Sequence, residues 1–467
     1  MSLPTTYDEV VGTSRLSAPR FLTGVAAYSG GAGIGLALLL AGDRFTQLGF
    51  AAWLLLLVVL LPFLITGFDW RHPIVLQVPL MAVQSMALIA IGVGLLPLDN
   101  TFSRALPTAM TEALFLKAVA VKGVGSVAVC GAAFLRWGGG RTQRTRFNLP
   151  LRRHLGLLAA GALVLAWGAN SAIVLRTGSL VEMFTMMRYR LELYEGLAYL
   201  VQLTKLGTVA AILLLFRGNG RSAVLVVVVQ CLIAVSMGDR GDVIFFTLLP
   251  FLIALYHHRG SLSAAPLIAL GLGLAIFYQA VGEFRRSGEL TLRGGLSGEG
   301  FVQTLGDVEH HQITASVIGL VDSGQVELLK GRQLPVVFVA PIPRALWAGK
   351  PVIAESALVG QMILGRRFHG LPAGMFGYGY LNFGWLGVIL FGLVGGATAS
   401  WFFRALVCGY DSPRDVPRGN VLVFSVLAFL VPFVLSTEVQ IGILMNLPIL
   451  IVVLWLGSGA PRGRAEA

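Results

Sequence analysis

The sequence contains little charge, and long stretches of it contain none. Only 12% of its 467 residues are charged, whereas 56% are hydrophobic, and the mean hydropathy is +0.79. Such a chain has too few polar side chains to face water on all sides, which excludes an ordinary soluble domain. The composition therefore places the chain in a lipid bilayer.

Cysteine is also scarce, with three residues in the whole chain. Cys130, Cys231 and Cys408 lie in or at the end of apolar runs, so we expect neither a disulfide nor a cysteine metal site. The alternation of polar and apolar residues that membrane-barrel strands need is missing. Apolar runs of about 17 to 25 residues recur instead, and each is long enough to cross the hydrocarbon core as a helix.

These runs predict an all-α integral membrane protein with about twelve spanning helices. The predicted spans are 22–41, 48–67, 74–96, 111–135, 155–175, 196–216, 222–237, 242–257, 264–282, 376–403, 421–436 and 441–457. They divide the chain into a membrane bundle of about nine helices at 1–282, a large loop at 283–375, and a part with about three helices at 376–467. Apolar stretches within the loop predict short helices that form an ordered cap against the membrane.

The distribution of arginine predicts the orientation. If the N-terminus is inside, the inner short segments hold seventeen arginines and the outer ones six. Because positive charge is enriched in cytoplasmic loops, both termini are predicted to be cytoplasmic and the loop 283–375 to lie on the outer face. The net charge of +12 then reflects topology and contact with anionic lipid, so no nucleic-acid partner is expected. A second outer segment, 176–195, predicts an in-plane interfacial helix with a capping box formed by Ser179 and Glu182.

Three lysines lie inside predicted spans. Lys117 and Lys122 are in the fourth span and Lys205 is in the sixth. Charge in hydrocarbon is costly, so such residues normally face a cavity or a partner. All three are candidates to line one outward-facing cavity that binds substrate, and the alternative is structural pairing, for example with Glu112.

Arginines mark the predicted outer surface. Arg240 lies in the turn Gly238–Asp242 between two acids, where it is either functional or part of a self-neutralised turn. Arg285 and Arg286 open the large loop, directly after Glu283. An arginine offers a planar fork of donors that suits phosphate oxygens, and headgroup anchoring is the alternative role.

Later in the same loop, Arg344 follows two prolines that stiffen its backbone. Trp347, just beyond it, could stack on a sugar or lie at the membrane interface, and Lys350 completes the basic segment. His310 and His311 are candidate general bases, although solvated histidines are common.

A glycine-rich segment at 374–384 leads into the tenth span. Its glycines allow close backbone approach or a broken helix entry. Tyr380 and Asn382 offer polar groups there that could bind substrate, and ordinary helix packing explains the segment equally well.

Together these features resemble the Wzy-type family of O-antigen, or oligosaccharide repeat-unit, polymerases. The resemblance covers about 240–384, and its most specific pattern is Pro343-Arg344 followed by Leu346-Trp347 and Lys350-Pro351. It implies a GT-C-like glycosyltransferase of the bacterial inner membrane that joins oligosaccharide units carried on undecaprenyl diphosphate at the outer, periplasmic face.

The resemblance also implies roles for the candidate residues. Arginines of the outer loops would bind or act on the diphosphate without a metal or other cofactor, and a chain-length regulator is a possible partner. The predicted catalytic residues are Arg344, Arg285, Arg240, His311 and Glu283. The predicted substrate-binding residues are Arg286, Lys117, Lys122, Lys205, Trp347, Lys350, Tyr380 and Asn382.

Three alternatives remain open at this stage, and one of them, a purely structural membrane scaffold, would not explain the charge placed in hydrocarbon. An O-antigen ligase would use the same donor lipid but transfer the glycan to lipid A core. A secondary transporter or lipid-linked glycan flippase would also have about twelve spans and buried lysines, although the sequence lacks the two related halves that are typical of transporters.

Overall fold

The structure is a computed structural model of the full chain, and it contains helices and no strands in the residues it describes. The described residues are 18–42, 46–66, 69–96, 111–134, 145–149, 152–179, 182–183, 197–237, 241–262, 273, 309–339, 342, 346–347, 349–365, 370–408, 410 and 412–458. The ninth predicted span, 264–282, lies outside them except for Gly273.

Fifteen α-helices are described, in this order: α1 (Ala18–Ala41), α2 (Gln47–Thr66), α3 (Pro73–Gly92), α4 (Glu112–Phe134), α5 (Arg152–Thr177), α6 (Ala198–Thr204), α7 (Leu206–Arg217), α8 (Gly220–Ser236), α9 (Leu249–Arg259), α10 (Glu309–Asp322), α11 (Glu355–Leu364), α12 (Gly374–Phe383), α13 (Trp385–Leu406), α14 (Arg418–Leu427) and α15 (Thr437–Ser458). A π-helix, Asp242–Leu248, precedes α9, and 3-10 turns occur at Leu334–Val339, Pro413–Asp415 and Val431–Phe433.

Seven helical stretches among the described residues are long and apolar enough to cross a membrane. They are Phe21–Ala41, Gln47–Thr66, Pro73–Gly92, Glu112–Phe134, His154–Thr177, Tyr199–Arg217 and Trp385–Leu406. The prediction of a multi-pass helical membrane protein is therefore confirmed. Helices fit this environment because each satisfies its own backbone hydrogen bonds, which lipid cannot do.

Three predicted spans contain an interruption. The span 421–436 is helical only to Leu427, the end of α14, and continues as turns that include the 3-10 turn Val431–Phe433. The span 196–216 has an irregular turn at Lys205, between α6 and α7, although Lys205 keeps right-handed helical angles (φ −66°, ψ −15°). The span 376–403 divides into α12 and α13 at Gly384, whose φ of +61° lies in the left-handed region. That position carries glycine because a side chain there would be strained.

One of the two hydrogen bonds of the predicted capping box is observed before the interfacial segment. Helix α5 ends at Thr177, and Gly178 adopts a left-handed φ of +100°. The backbone N–H of Glu182 then donates to Oγ of Ser179 at 3.0 Å. The interfacial helix itself stays a prediction, since most of 176–195 lies outside the described residues.

Contacts divide the chain into two compact units. Unit 1 comprises Met1–Thr142, Val302–Phe403 and Leu430–Ile441, and unit 2 comprises Gln143–Phe301, Arg404–Phe429 and Gly442–Ala467. These units are defined by contacts, whereas the division at 282 and 375 was predicted from membrane faces, so the latter stays a prediction.

Within unit 1, α2 packs against α1, α3 and α4, and α4 in turn packs against α10 and α12. Within unit 2, α7 packs against α5, α8 and α9. Unit 1 thus combines an early bundle with α10, α11 and α12, which come from the second half of the chain.

Candidate functional site

Helix α10 brings part of the predicted outer loop into the bundle of unit 1. It packs against both α4 and α12, and its polar residues His311, Gln312, Thr314 and Ser316 are at most 1% exposed. Thr314 donates through Oγ1 to the backbone oxygen of Ala373 at 2.9 Å, which ties α10 to the start of α12. A segment predicted from its polar character to be an outer loop therefore includes a buried helix.

The first contact that fixes α10 joins His311 to Lys122. Nζ of Lys122 lies 2.7 Å from Nδ1 of His311, and Nε2 of His311 lies 3.1 Å from the backbone oxygen of Gln84. A carbonyl oxygen can only accept, so we assign the ring proton to Nε2, and Nδ1 accepts from the lysine. Both ring nitrogens of a neutral imidazole are thereby engaged. This arrangement favours a positioning role for His311 over the predicted role as a general base, which no observation tests.

Lys122 and Gln84 also define how deeply α10 enters. Both residues lie near the middle of their helices, α4 and α3. His311, in the first turn of α10, therefore lies beside the middle of two spanning helices, and α10 extends about 17 Å from there to Asp322. The described part of α10 thus starts against the middle of α3 and α4.

The second contact joins the other end of α10 to α4 and α12. Nζ of Lys117 lies 2.5 Å from Oδ2 of Asp322, and the hydroxyl of Tyr380 donates to Oδ1 of the same carboxylate at 2.7 Å. Nζ of Lys117 also lies 5.4 Å from the centre of the Tyr380 ring. The side chains of Lys117 and Asp322 are 33% and 38% exposed. Lys117 thus pairs with Asp322, not with Glu112, the partner that was considered from the sequence.

Lys205 lies in unit 2, in a buried ion pair. Its Nζ is 3.1 Å from Oδ1 of Asp242 and 3.8 Å from the centre of the Phe246 ring, and the two ionic side chains are 12% and 13% exposed. Asp242 and Phe246 both belong to the π-helix. A small cavity beside Lys205 is lined in part by Thr208 and Asn446. The alternative of structural pairing fits Lys205 better than a solvated substrate site does.

Lys350 contacts Ile342 and Trp347, which flank Arg344 in the sequence. Nζ of Lys350 donates to the backbone oxygen of Ile342 at 2.6 Å, and its backbone N–H donates to the oxygen of Trp347 at 3.0 Å. Lys350 is 9% exposed, whereas Trp347 is 40% and Leu346 is 80% exposed. Lys350 therefore closes a turn, and the exposed apolar side chains of that turn are available to lipid or a sugar.

This contact gives a testable prediction. We expect Lys350→Met to lose the bond to Ile342, which loosens the 342–350 turn and lowers stability by about 1 kcal/mol. The checking measurement is limited trypsin digestion, which should cut after Arg344 several-fold faster. Lys350 is not itself a trypsin cleavage site because Pro351 follows it, so its replacement removes no site. Lys350→Arg keeps a donor and serves as the control, and equal cleavage rates in both variants would contradict the assigned role.

Asn382 is fully buried, so it is not a polar group at the surface. Its Nδ2 donates to the backbone oxygen of Tyr378 at 2.9 Å, one helical turn earlier in α12. This favours helix packing for Asn382, whereas Tyr380 takes part in the Asp322 contact. The remaining predicted site residues, Arg240, Glu283, Arg285, Arg286 and Arg344, lie outside the described residues, as does the side chain of His310.

Several polar groups were missed in the sequence. Asp322 pairs with Lys117, and Asp242 pairs with Lys205. Lys117 and Asp322 lie 205 positions apart, and no local sequence pattern connects residues at that distance. Gln312 and Ser316 lie one turn apart on α10, and their buried side-chain polar atoms have no hydrogen-bond partner among the described residues. Each such group costs about 1–3 kcal/mol. Their spacing of four residues is the one sequence signal that could have indicated a polar face.

The chain was compared with protein-family models, curated proteins and solved structures, and none of them matches it. Within the described residues, no three His, Cys, Asp or Glu side chains are grouped so that they could bind a metal ion.

Proposed function

We propose that this chain is a polysaccharide polymerase of the Wzy type. In this proposal it is an inner-membrane glycosyltransferase with about twelve spans, a GT-C-like arrangement and cytoplasmic termini. It joins oligosaccharide units carried on undecaprenyl diphosphate at the outer face and releases undecaprenyl diphosphate. The observation that carries the proposal is the partly exposed cluster of Lys117, Tyr380 and Asp322, which three distant parts of the chain build together.

The chemistry needs charge more than it needs an acid. Breaking the bond between sugar C1 and phosphate expels a diphosphate, which is already a good leaving group. Cationic and hydroxyl donors that are fixed in advance stabilise its developing charge. Lys117 and Tyr380 supply such donors in unit 1, and Arg344 of the same unit is the proposed further cation, while the catalytic roles of Arg285 and Arg240 stay predictions from the sequence. His311 acts in this proposal by positioning α10, because both of its ring nitrogens are engaged.

The test is polymerisation by purified protein in liposomes. With the lipid-diphosphate-linked repeat unit of the source organism, we expect the wild type to form a product ladder. Arg344→Ala should reduce the rate by at least about 100-fold, as expected for loss of a donor that stabilises developing charge. Arg462→Ala, in the C-terminal tail, is the matched control and should retain the rate. Full polymerisation by a folded Arg344→Ala protein would argue against the proposed site.

If no product ladder forms, the polymerase function fails, and two further assays distinguish the alternative functions. If lipid A core is glycosylated when it is added as the acceptor, the chain is a ligase of the kind considered from the sequence. If neither product forms with intact substrate, the transport function described next gains weight.

A second function, transport of a lipid-linked glycan or another solute, is favoured by one observation in unit 2. The ion pair joins Lys205, at the irregular turn between α6 and α7, to Asp242, at the start of the π-helix. Discontinuous helices with intramembrane charge are typical of transporter binding sites, and π-helical turns often occur at functional sites. Substrate movement across liposomes that is lost in Asp242→Asn, without any polymer product, would support this function over the first.

A further inference from the structure

The carboxylate of Asp322 occupies a position suited to an anionic oxygen of a ligand. Two donors from different helices converge on it, Nζ of Lys117 at 2.5 Å and the hydroxyl of Tyr380 at 2.7 Å. A lysine amine together with a phenol hydroxyl would bind a phosphate oxygen with equal ease, since charge-assisted hydrogen bonds form to either anion. The hydroxyl of Tyr380 is held in place by the packing of its ring edge-on to Trp385.

The same surface is open and carries more positive charge. About a third of the Lys117 and Asp322 side chains is exposed, so a ligand can reach both. Lys330 and Arg332 are exposed on the segment that follows α10. The backbone N–H of Lys330 donates to the oxygen of Asn382 at 2.9 Å, which places this segment beside the end of α12, two residues from Tyr380.

The backbone at Lys330 is also strained. Its φ of +52° is the only positive value of a non-glycine residue in the described part of the chain. Such conformations cost about 1–3 kcal/mol and are concentrated at functional sites. The hydrogen bond from the backbone N–H of Lys330 to the oxygen of Asn382 offsets this cost and keeps the turn beside the end of α12.

We propose that Lys117 and Tyr380 form a diphosphate subsite and that Asp322 occupies it in the ligand-free protein. A diphosphate oxygen replaces the carboxylate, and Asp322 swings toward solvent. The carboxylate thus competes with the ligand. The apparent affinity equals the intrinsic affinity multiplied by the fraction of protein in which Asp322 has left the site. This inference rests on the proposed function for its ligand class, and it adds a ligand-free resting state in which Asp322 competes with the ligand.

The first arm of the test measures binding of inorganic pyrophosphate to purified protein in neutral detergent. We expect Asp322→Asn to bind about three- to tenfold more tightly than the wild type, because it removes the competing charge and leaves both donors. The matched control is Glu327→Gln, which removes one negative charge from an exposed position on the same segment. It should bind like the wild type. Equal tightening in both variants would reduce the effect to general electrostatics and overturn the proposal.

The second arm removes the donors. Lys117→Met should weaken binding at least about tenfold and Tyr380→Phe about three- to tenfold. Thermal unfolding checks that each variant is folded, and Tyr380→Phe, which keeps its ring packing, remains informative if Lys117→Met does not fold. Pyrophosphate binding that is unchanged in a folded Tyr380→Phe protein, or absent from a folded Asp322→Asn protein, would overturn the proposal.

A third arm identifies the source of the diphosphate. Farnesyl diphosphate, a prenyl diphosphate, should show the same order of variants and bind more tightly than pyrophosphate if a lipid-linked ligand is the natural one. Equal affinities would assign the subsite to free diphosphate. If the variants bind diphosphate in the expected order but no product ladder forms, the polymerase proposal fails and the subsite stands. If a ladder forms and Tyr380→Phe leaves it unaffected, the subsite fails and the polymerase proposal stands.

Discussion

Replacing His311 with leucine will lower the stability of unit 1 by about 3 kcal/mol. The change removes the acceptor of the Lys122 amine, which is 9% exposed and lies in the middle of α4. An amine that is left buried without a partner costs more than a neutral donor does, and breaking a buried polar pair on one side costs about 3–5 kcal/mol. The oxygen of Gln84 loses a second donor but keeps its position in α3. Thermal unfolding in detergent would measure the effect.

The double variant separates this explanation from simple loss of packing. In Lys122→Met with His311→Leu, both polar groups are gone and side chains of similar volume remain, so we expect most of the lost stability to return. His154→Leu, at an exposed histidine of α5, is the control and should change stability little. If the double variant is as unstable as the two single effects added together, the residues do not form the pair described here.

A single methyl group at Gly396 will push α13 away from α4. A Cβ at this position would lie 2.2 Å from the backbone oxygen of Val129 and 3.0 Å from its Cα. Gly392, four residues earlier, approaches the backbone oxygen of Gly125 in the same way. Small residues at this spacing let helices in membranes approach closely, and backbone atoms cannot rotate away as a flexible side chain can. We therefore expect Gly396→Ala to destabilise the protein by about 2–3 kcal/mol.

Because α4 carries Lys117 and Lys122, the same change should also disturb the candidate site. Pyrophosphate binding by Gly396→Ala should weaken several-fold even where the protein remains folded. The control is Gly168→Ala in α5, where no atom lies within 4 Å of the added Cβ. Alanine forms helices better than glycine, so this control should be neutral or slightly stabilising. A Gly396→Ala protein that unfolds like the control would contradict the close contact between α4 and α13.

Much of the membrane fold was predictable because lipid imposes a simple rule. A helix of apolar side chains is a stable way to cross hydrocarbon, so an apolar run marks a helix and its polar ends mark the boundaries. The predicted span 48–67 corresponds to α2 at Gln47–Thr66, and 155–175 corresponds to α5 at Arg152–Thr177. The breaks were harder to predict, because Lys205 interrupts an otherwise continuous apolar run between α6 and α7.

The candidate site could be predicted only in part. Charge within a span shows that Lys117, Lys122 and Lys205 need partners, because an unpaired charge in hydrocarbon is costly. It does not identify those partners. His311 was predicted as a general base from its chemistry, and the structure adds that both of its ring nitrogens contact α4 and α3, while the catalytic role stays a prediction.

The sequence by itself determined that this is a multi-pass helical membrane protein. It also determined where most of its helices lie and which lysines lie within apolar spans. These properties depend on local hydrophobicity, which is contained in each run of residues. Only the tertiary structure decided that α10 enters the bundle and that Asp322 and Asp242 are the partners of Lys117 and Lys205. Such pairings depend on contacts between helices that are separated in the chain. The sequence around a carboxylate or imidazole does not indicate which helix that side chain will contact.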